Sequence, residues 1–415
     1  MIQALVYGML AVAFLYETAL AFLTYRNRNQ PLSPLVQDIY EPERYKKWYS
    51  YLMDTLKFQM VQRSLRYGWM LLLLLLGVFP IIFQSLSNLV VHPDVQNLLF
   101  LGVYYFLVSW LDWGLDYYRQ FVIEKRYGFH KATNKTFFLD KVKSTLLVFV
   151  LGGLLSWGIM RLLVVTDNPW ILILVVWGVG MVLQVVINLL YTTVFVRIFN
   201  KLTPLQEGSL KDKIEVVAAE TNVQIKSISI MDASKRSGKL NAFFSGFGKH
   251  KHVVLFDTLV ATMTEDEIVS VLAHEIGHGK FKHVFKNMIV SAVMMLLYLS
   301  FFLYLVTNPA FSTAFGFETA TFGFGIVLFS ILVSPFDSLL QIPLSMLSRK
   351  YEYQADGYAV QMGYGEAMQS ALKQLAKANL SNLTPHPLVV SLTYSHPPIH
   401  DRVVAIQAKL RPVQQ

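Results

Sequence analysis

The chain has 415 residues, of which 54% are hydrophobic and only 15% are charged, and its formal net charge is +9. A soluble domain carries about 25% charged residues, so this apolar excess needs lipid as well as a protein core to cover it. The positive charge comes without a basic stripe of interleaved aromatic residues, so nucleic acid is not expected as a partner. The absence of Cys excludes disulfides and cysteine-ligated metal.

Seven apolar runs are long enough to cross about 30 Å of hydrocarbon as helices. They are residues 3–24, 68–90, 98–117, 144–165, 170–196, 286–306 and 325–347. The first run has no basic residue before Arg26, so we expect a retained anchor rather than a cleaved signal peptide. Four acidic residues fall within these runs and are expected to face protein or water: Glu17, Asp112, Asp116 and Asp337.

Basic residues are concentrated in alternate loops. Eight lie between the first and second runs and seven between the third and fourth, whereas residues 87–97 and 307–324 contain none. The positive-inside rule then predicts an N-terminus outside and a C-terminus in the cytoplasm, and seven spans are consistent with this. We expect an integral, multi-pass membrane protein, with a bacterial inner membrane favoured over the endoplasmic reticulum.

The longest stretch between two runs is residues 197–285, and its local patterns predict a mixture of helix and strand. A helix is predicted from Pro204 to Ala219, and strands at Val223–Met231, Asn241–Phe244 and Val253–Leu259. A further helix is predicted to begin at Thr264. Thr264 and Glu267 form a capping box, which satisfies the first free amide groups of a helix.

The sequence His-Glu-Ile-Gly-His at 274–278 lies on this last helix. His274 and His278 fall on the same face, one turn apart, so their imidazoles can share one metal ion. Glu275 points about a quarter-turn away, where its carboxylate can take a proton from an attacking water. The motif predicts a zinc peptidase site with Glu275 as the general base.

Catalytic zinc takes three protein ligands, and four residues could supply the third: His283, Glu352, Asp356 and His396. His283 is five residues past His278 and is expected off the ligand face, as a solvated residue at the membrane interface. Glu352 is favoured, because Glu352 and Asp356 form an i, i+4 pair on one helical face. One carboxylate can bind the metal while the other orients a ligand imidazole. Two membrane crossings separate His278 from Glu352, so both fall on the same side.

With these motifs the chain resembles the type I CAAX prenyl proteases, integral-membrane zinc endopeptidases that remove the last three residues from prenylated CAAX proteins. The resemblance covers nearly the whole chain. Besides the seven-span layout and the motif at 274–278, it rests on Phe121–Phe129, Asn241–Phe244, Glu352–Asp356 and Ser395–Pro398 with Arg402. Gly279 and His130 stand where the family commonly has Trp and Asn, respectively.

The resemblance implies three zinc ligands, which are His274, His278 and Glu352. It also implies that Asn241, on an edge strand, binds substrate backbone by strand addition, and that His396 stabilises the developing oxyanion. Asp356 and Arg402 would support the ligands. The spans would enclose a wide internal chamber.

The fold class expected is mainly α: a polytopic membrane protein with seven transmembrane helices around an internal chamber, plus a small α+β zinc-metalloprotease domain on the cytoplasmic face. Residues 1–196 would hold five spans and 197–285 the metalloprotease domain. Residues 286–347 would hold two more spans, and 348–415 would complete the zinc site. One Zn²⁺ per chain, a peptide or prenylated-protein substrate and the lipid bilayer are the expected cofactor and partners.

Two other functions fit parts of these patterns. A membrane quality-control protease would use the same chemistry without regard to prenylation. A transporter or receptor with a structural metal site would make Glu275 dispensable. The second is disfavoured, because a structural zinc site normally closes its fourth position with a protein ligand.

Overall fold

The computed structural model describes residues 1–221, 223–246 and 251–411, and in that part of the chain helices predominate. In chain order the helices are α1 (Ile2–Arg26), α2 (Pro42–Leu75), α3 (Val78–Leu89), α4 (Pro93–Tyr118), α5 (Asn134–Leu147), α6 (Gly153–Val165), α7 (Pro169–Leu190), α8 (Val196–Phe199), α9 (Ser209–Glu220), α10 (Asp257–Val260), α11 (Glu265–Lys280), α12 (His283–Thr307), α13 (Pro309–Thr313), α14 (Phe322–Gln361), α15 (Gly365–Asn379), α16 (Pro387–Thr393) and α17 (Ile399–Leu410). Short π-helical stretches follow α4, join α5 to α6 and join α7 to α8.

Six helical segments of the described chain are long and apolar enough to cross a membrane. They are Ile2–Arg26, Pro93–Glu124, Asn134–Val165, Pro169–Phe199, His283–Thr307 and Phe322–Gln361. The pair α2 and α3, bent by 57° at a short break, makes a seventh if it is counted as one span. The second predicted run falls on this bent pair, and the other six fall on the single segments. The bend is at Gly77, whose φ of +63° is a left-handed conformation that glycine adopts without strain.

The spans differ in how much of their apolar surface other parts of the protein cover. The apolar windows of five of them are only 11–22% buried, which leaves most of their side chains for lipid. The window of α14 is 44% buried, because α14 runs through the middle of a core to which α1, α2, α3 and α4 contribute. This central helix extends for 40 residues through Pro335 and Pro343 and carries Glu352 and Asp356 near its end.

The four acidic residues predicted within spans all have a polar partner. The pairs are Glu17 with Arg63 at 3.3 Å, Asp112 with Arg66 at 2.7 Å, Asp116 with Lys141 at 2.6 Å and Asp337 with the Tyr298 hydroxyl at 2.6 Å. They contact protein groups, as expected for ionisable side chains within apolar spans.

A four-stranded sheet lies between the fifth and sixth spans in sequence. Its strands are β1 (Leu202–Pro204), β2 (Ile225–Met231), β3 (Ala242–Ser245) and β4 (Lys251–Phe256), in the order β1-β2-β4-β3. β2 and β4 are parallel, and the two outer strands run antiparallel to their neighbours. β3 is therefore an edge strand with one free side.

Two boundaries predicted in this region were wrong. Pro204 belongs to β1 rather than to a helix, and α9 begins at Ser209, five residues later. The last predicted strand ends at Phe256, because Asp257–Val260 turns into the short helix α10. Asp257 accepts hydrogen bonds from the amide of Ser234 at 2.9 Å and from that of Thr258 at 2.8 Å, which stabilise the turn.

The helix predicted after Thr264 is confirmed as α11, together with its capping box. The Thr264 hydroxyl accepts from the Glu267 amide at 3.3 Å, and the Glu267 carboxylate accepts from the Thr264 amide at 2.8 Å. Ile268, Leu272 and Ile276 repeat at helical spacing and pack into a core shared with the sheet, α9 and α15. Burial of this face fixes the rotation of α11 and hence the direction in which its histidines point.

Candidate active site

The site is formed where α11 passes close to the end of α14. Gly277 makes this approach possible: a Cβ atom at this position would lie 3.0 Å from the Ala355 Cα and 3.0 Å from the Tyr358 Cβ. Any larger residue would push the two helices apart. The glycine inside the His-Glu-Ile-Gly-His motif thus lets the side chains of α14 reach those of α11.

Three side chains meet at this crossing, two from α11 and one from α14. The Nε2 atoms of His274 and His278 are 3.2 Å apart. The Glu352 carboxylate lies 3.4 Å from His278 Nε2 through Oε1 and 3.5 Å from His274 Nε2 through Oε2. These three residues could hold a metal ion. Ligands about 2.1 Å from a tetrahedral zinc lie roughly 3.4 Å apart, which is close to the observed spacing.

Hydrogen bonding determines which imidazole nitrogen carries the proton in each histidine. His274 Nδ1 lies 2.8 Å from the Asp356 carboxylate and must donate to it, so its Nε2 presents a lone pair. His278 Nδ1 lies 2.9 Å from His283 Nδ1, and His283 Nε2 donates to the Gln354 carbonyl oxygen at 2.9 Å. His278 must then donate through Nδ1, so its Nε2 also presents a lone pair. Two lone pairs facing each other beside a carboxylate fit a bound cation.

The partners of His274 form a buried ionic group. Asp356 is 1% exposed and Arg402, from α17, is 8% exposed. The Arg402 guanidinium donates to both Asp356 oxygens, at 2.9 and 2.6 Å. Burial disfavours the charged guanidinium, but the adjacent Asp356 outweighs it and raises the pKa of Arg402. The structure thus brings Asp356 and Arg402 directly behind His274.

His283 lies in a different place from the one predicted. It is 2% exposed, not solvated, and its ring stacks on Tyr351 at a centroid distance of 3.9 Å. The prediction was wrong because α11 ends at Lys280 and Lys282 takes a left-handed conformation, which turns the chain before α12 begins. His283 is thereby brought back against His278.

His396 approaches the cluster from the loop between α16 and α17. Its Nδ1 lies 3.0 Å from Glu352 Oε2, and its side chain is 66% exposed. The Glu352 carboxylate raises the pKa of His396 above 6.5. Arg349 of α14 holds α16 and the start of this loop by donating hydrogen bonds to the backbone oxygens of Val390, at 2.9 Å, and Tyr394.

Glu275, on the same helix as the two histidines, lies against the sheet. It lines a small cavity with Phe243 and Phe244 of the edge strand β3. Asn241, immediately before β3, is exposed, and its side-chain oxygen accepts from the Ala242 amide at 3.0 Å. Leu240, the residue before Asn241, is held by the side chain of Asn379. The Asn379 oxygen accepts from the Leu240 amide at 2.9 Å, and the Asn379 nitrogen donates to the Leu240 carbonyl at 3.2 Å. Glu275 and side chains of β3 therefore border the same space.

A larger cavity of about 880 Å³ extends from Asn241 between α6, α7 and α12. Its lining is mostly apolar, with Gln184 and Asn188 of α7 one turn apart. Among the residues that the structure describes, their side-chain oxygens are buried and lack a hydrogen-bond partner. A buried amide oxygen without a partner is costly, so water or a polar ligand in this cavity would stabilise these groups.

The roles of several site residues were not predicted from the sequence. Gly277, His283, Arg349, Gln354 and Asn379 act through contacts with residues far away in the chain. Apart from Gly277, which lies inside the motif, no local spacing connects them with it. A glycine inside a helical motif was the one available signal, since it costs roughly 1 kcal/mol relative to alanine unless packing requires it.

A His-Glu-x-x-His helix, a carboxylate from a second helix and an adjacent free strand edge, all attached to apolar spans, define an integral-membrane metalloprotease. Comparisons with known proteins agree with this class. Residues 204–410 match peptidase family M48, and residues 21–201 match the CAAX prenyl protease N-terminal family of five membrane helices.

CAAX prenyl protease 1 from Saccharomyces cerevisiae is 32% identical, over 97% of this chain and 95% of that protein. A CAAX prenyl protease 1 homolog from Arabidopsis thaliana is 33% identical, over 97% of each. The crystal structure of S. mikatae Ste24p superposes with a TM-score of 0.91 at 30% identity, covering 98% of this chain and 99% of that one. The chain belongs to peptidase family M48, in its CAAX prenyl protease branch, and is a zinc metalloendopeptidase.

The comparisons do not support one expectation. A bacterial inner membrane was favoured, but these relatives come from yeast and a plant. Cationic loops and apolar spans occur in bacterial and eukaryotic membrane proteins alike, so these patterns could not separate the two.

Proposed function

We propose that this protein removes the C-terminal residues of prenylated CAAX proteins, using one Zn²⁺ held by His274, His278 and Glu352. The observation that carries the proposal is the set of 3.2–3.5 Å distances among two imidazole nitrogens and one carboxylate. The substrate class comes from the relatives, which are CAAX prenyl proteases by name.

Each of these side chains has a role in peptide hydrolysis. When bound, zinc supplies a Lewis acid that polarises the scissile carbonyl and acidifies water. Glu275 accepts a proton from the attacking water and passes it to the leaving amine. His396, whose Nδ1 lies 3.0 Å from Glu352 Oε2, donates to the oxyanion that forms on the carbonyl oxygen. Asp356 and Arg402 hold His274 in the tautomer that leaves Nε2 free.

The substrate backbone adds to the free side of β3. Asn241 directs the chain there, so that the scissile bond reaches Glu275, which borders the same strand. The apolar lining of the 880 Å³ cavity suits a prenyl chain, and the amides of Gln184 and Asn188 suit substrate backbone groups inside it. The alternation of basic loops supports an N-terminus outside and a catalytic side in the cytoplasm, where prenylated C-termini are found.

The test compares the purified protein with its Glu275→Gln variant on a farnesylated CAAX peptide. We expect the variant to keep one zinc per chain by metal analysis and to lose activity by roughly 10²–10⁴-fold, the usual contribution of a general base. Glu366→Gln is the matched control, because Glu366 lies on α15, away from the site, and should leave turnover unchanged. An active Glu275→Gln protein with zinc bound would contradict the proposed mechanism.

A second measurement concerns the substrate. The same peptide without its farnesyl group should be cleaved much less efficiently, because it cannot bury an isoprenoid in the apolar cavity. Equal cleavage of the two peptides would point instead to a quality-control protease that ignores prenylation. The Glu275→Gln variant tests the mechanism independently of the substrate, since it should remove cleavage under either function.

A further inference from the structure

A second cavity lies apart from the metal-binding cluster, where two spans end. It has a volume of about 620 Å³ and is bordered by the start of α5, by α8 and by the loop after β2. Six cationic side chains line it, which are Lys135, Lys143, Arg197, Lys201, Lys235 and Arg236. Two carboxylates, Asp140 and Asp232, are present with them. The cavity therefore carries four more positive than negative groups.

Half of these cations already have partners. Arg236 donates to Asp140 at 2.8 and 3.1 Å, which neutralises that carboxylate. Lys235 pairs with Asp232 at 2.6 Å. Lys143 donates to a carbonyl at the end of α8, that of Ile198, at 2.8 Å. These three cations therefore form part of the cavity wall. Because Asp140 and Asp232 are both paired with cations, their negative charges are neutralised and do not repel an anion in the cavity.

The other three cations are exposed and carry no ion pair within the described part of the chain. Lys135 extends from the first turn of α5, Arg197 from α8 and Lys201 from the residues after it. Three unpaired positive side chains around one cavity are a site for an anionic group. Phosphate groups are among the anions that such clusters of Lys and Arg bind.

The surface beside the cavity indicates where the anion comes from. Leu139 lines the cavity and is 49% exposed. Val142 and Leu146 continue from it along the same face of α5, at 51% and 58% exposure. An apolar stripe that begins at the cavity and runs up a membrane span is a surface for acyl chains. A soluble phosphate compound would make no use of it.

We propose that this cavity, which neither the catalytic mechanism nor the comparisons assign, binds the headgroup of an anionic phospholipid. The phosphate and any further acidic group lie among Lys135, Arg197 and Lys201, and the acyl chains lie along Leu139, Val142 and Leu146. Basic cavities between spans at the membrane surface bind anionic headgroups in this way. The bound lipid contacts α5, α8 and the loop after β2 at the same time, and it thereby links the spans to the sheet that contains β3.

The test is native mass spectrometry of the full-length protein titrated with phosphatidylserine or phosphatidylcholine. We expect wild type to bind one phosphatidylserine more tightly than any phosphatidylcholine. The variant Lys135→Gln/Arg197→Gln/Lys201→Gln should lose that preference, with a roughly 100-fold lower affinity for phosphatidylserine, since each Lys or Arg near a membrane surface contributes about fivefold. Its affinity for phosphatidylcholine should not change.

The matched control is Arg26→Gln/Lys125→Gln/Lys226→Gln. It removes the same three charges from exposed residues that do not line the cavity, two of them at the ends of other spans. It should bind phosphatidylserine like wild type. Equal losses in both triple variants, or no loss in the first, would overturn the proposal.

Two further measurements separate the lipid from a free anion. Leu139→Glu puts a carboxylate at the cavity and should weaken phosphatidylserine binding while zinc content and peptidase activity stay at wild-type levels. Water-soluble glycerophosphoserine should not displace the lipid at matched concentration. If it competes equally well, the ligand is a soluble phosphate ester and the proposal of a lipid site is wrong.

Discussion

The two histidines of the metal-binding cluster are supported by groups of opposite character. Behind His274 stand a carboxylate and a guanidinium, both buried, with Asp356 only 2.8 Å from the ring. Behind His278 stands a neutral chain, His283 followed by Gln354, with hydrogen bonds of 2.9 Å each. Both arrangements leave the Nε2 lone pair free, but only the first places charge next to the ligand.

The two carboxylate oxygens of Glu352 also differ, since one faces the charged side and the other the neutral side. Its Oε2 faces the charged side, 3.5 Å from His274 Nε2, 3.5 Å from the Arg402 guanidinium and 3.0 Å from His396. Its Oε1 faces His278 alone among these groups, at 3.4 Å. The two sides therefore have different effects on the ligands. The carboxylate behind His274 increases the basicity of the ligand, while the neutral chain behind His278 only orients it.

The largest effect is expected on the charged side, from Asp356→Asn. Asparagine keeps an oxygen that accepts from His274, but it removes the nearer counter-charge of the buried Arg402 and leaves only Glu352, at 3.5 Å. We expect the free energy of unfolding to fall by roughly 3–5 kcal/mol, as when one partner of a buried ion pair is removed. Zinc affinity should fall by roughly 10–100-fold. Denaturation in detergent and competition with a chelating dye measure the two quantities.

The double variant Asp356→Asn/Arg402→Met is the control for this interpretation. It buries no unpaired charge, so most of the lost stability should return. Zinc affinity should stay low, because the negative charge behind His274 is still missing. If the single variant were as stable as wild type, the ionic group would not be the rigid support that its burial indicates.

A smaller effect is expected on the neutral side. His283→Ala removes the acceptor for His278 Nδ1 and should lower zinc affinity by roughly tenfold, the lower end of the range for such supporting residues. His283→Asn places an amide oxygen where the His283 Nδ1 was and should retain most of the affinity. Equal affinity losses for His283→Ala and Asp356→Asn would break the distinction between the two sides.

This distinction could not be read from the sequence, although much of the fold could. Apolar length and the capping box at Thr264 are local patterns, and they predicted the spans and the start of α11 correctly. The packing of His283 depends on Tyr351 and Gln354, which follow two membrane crossings later, and no spacing rule connects them. β1 has only three residues, too few for a strand pattern, and the bend at Gly77 interrupts a run that is apolar throughout.

The smallest effect concerns His396, the exposed member of the charged side. Its pKa is raised by Glu352, so its contribution to stability is fully present below the unfolded value of about 6.5 and is lost as the pH rises through the higher folded value. Because two-thirds of the side chain is exposed, the difference between wild type and His396→Gln should stay below about 1 kcal/mol.

The measurement is the melting temperature of the metal-free protein from pH 6 to 9. Wild type should exceed His396→Gln at pH 6, and the two should converge as the pH rises. His386→Gln is the control, since His386 caps α16 away from the cluster and should not alter this trend. Zinc competes with His396 for the same carboxylate, so restoring zinc should reduce the pH-dependent difference. A difference that grew with pH would mean that His396 is neutral beside Glu352, and the charged side would then consist of Asp356 and Arg402 without it.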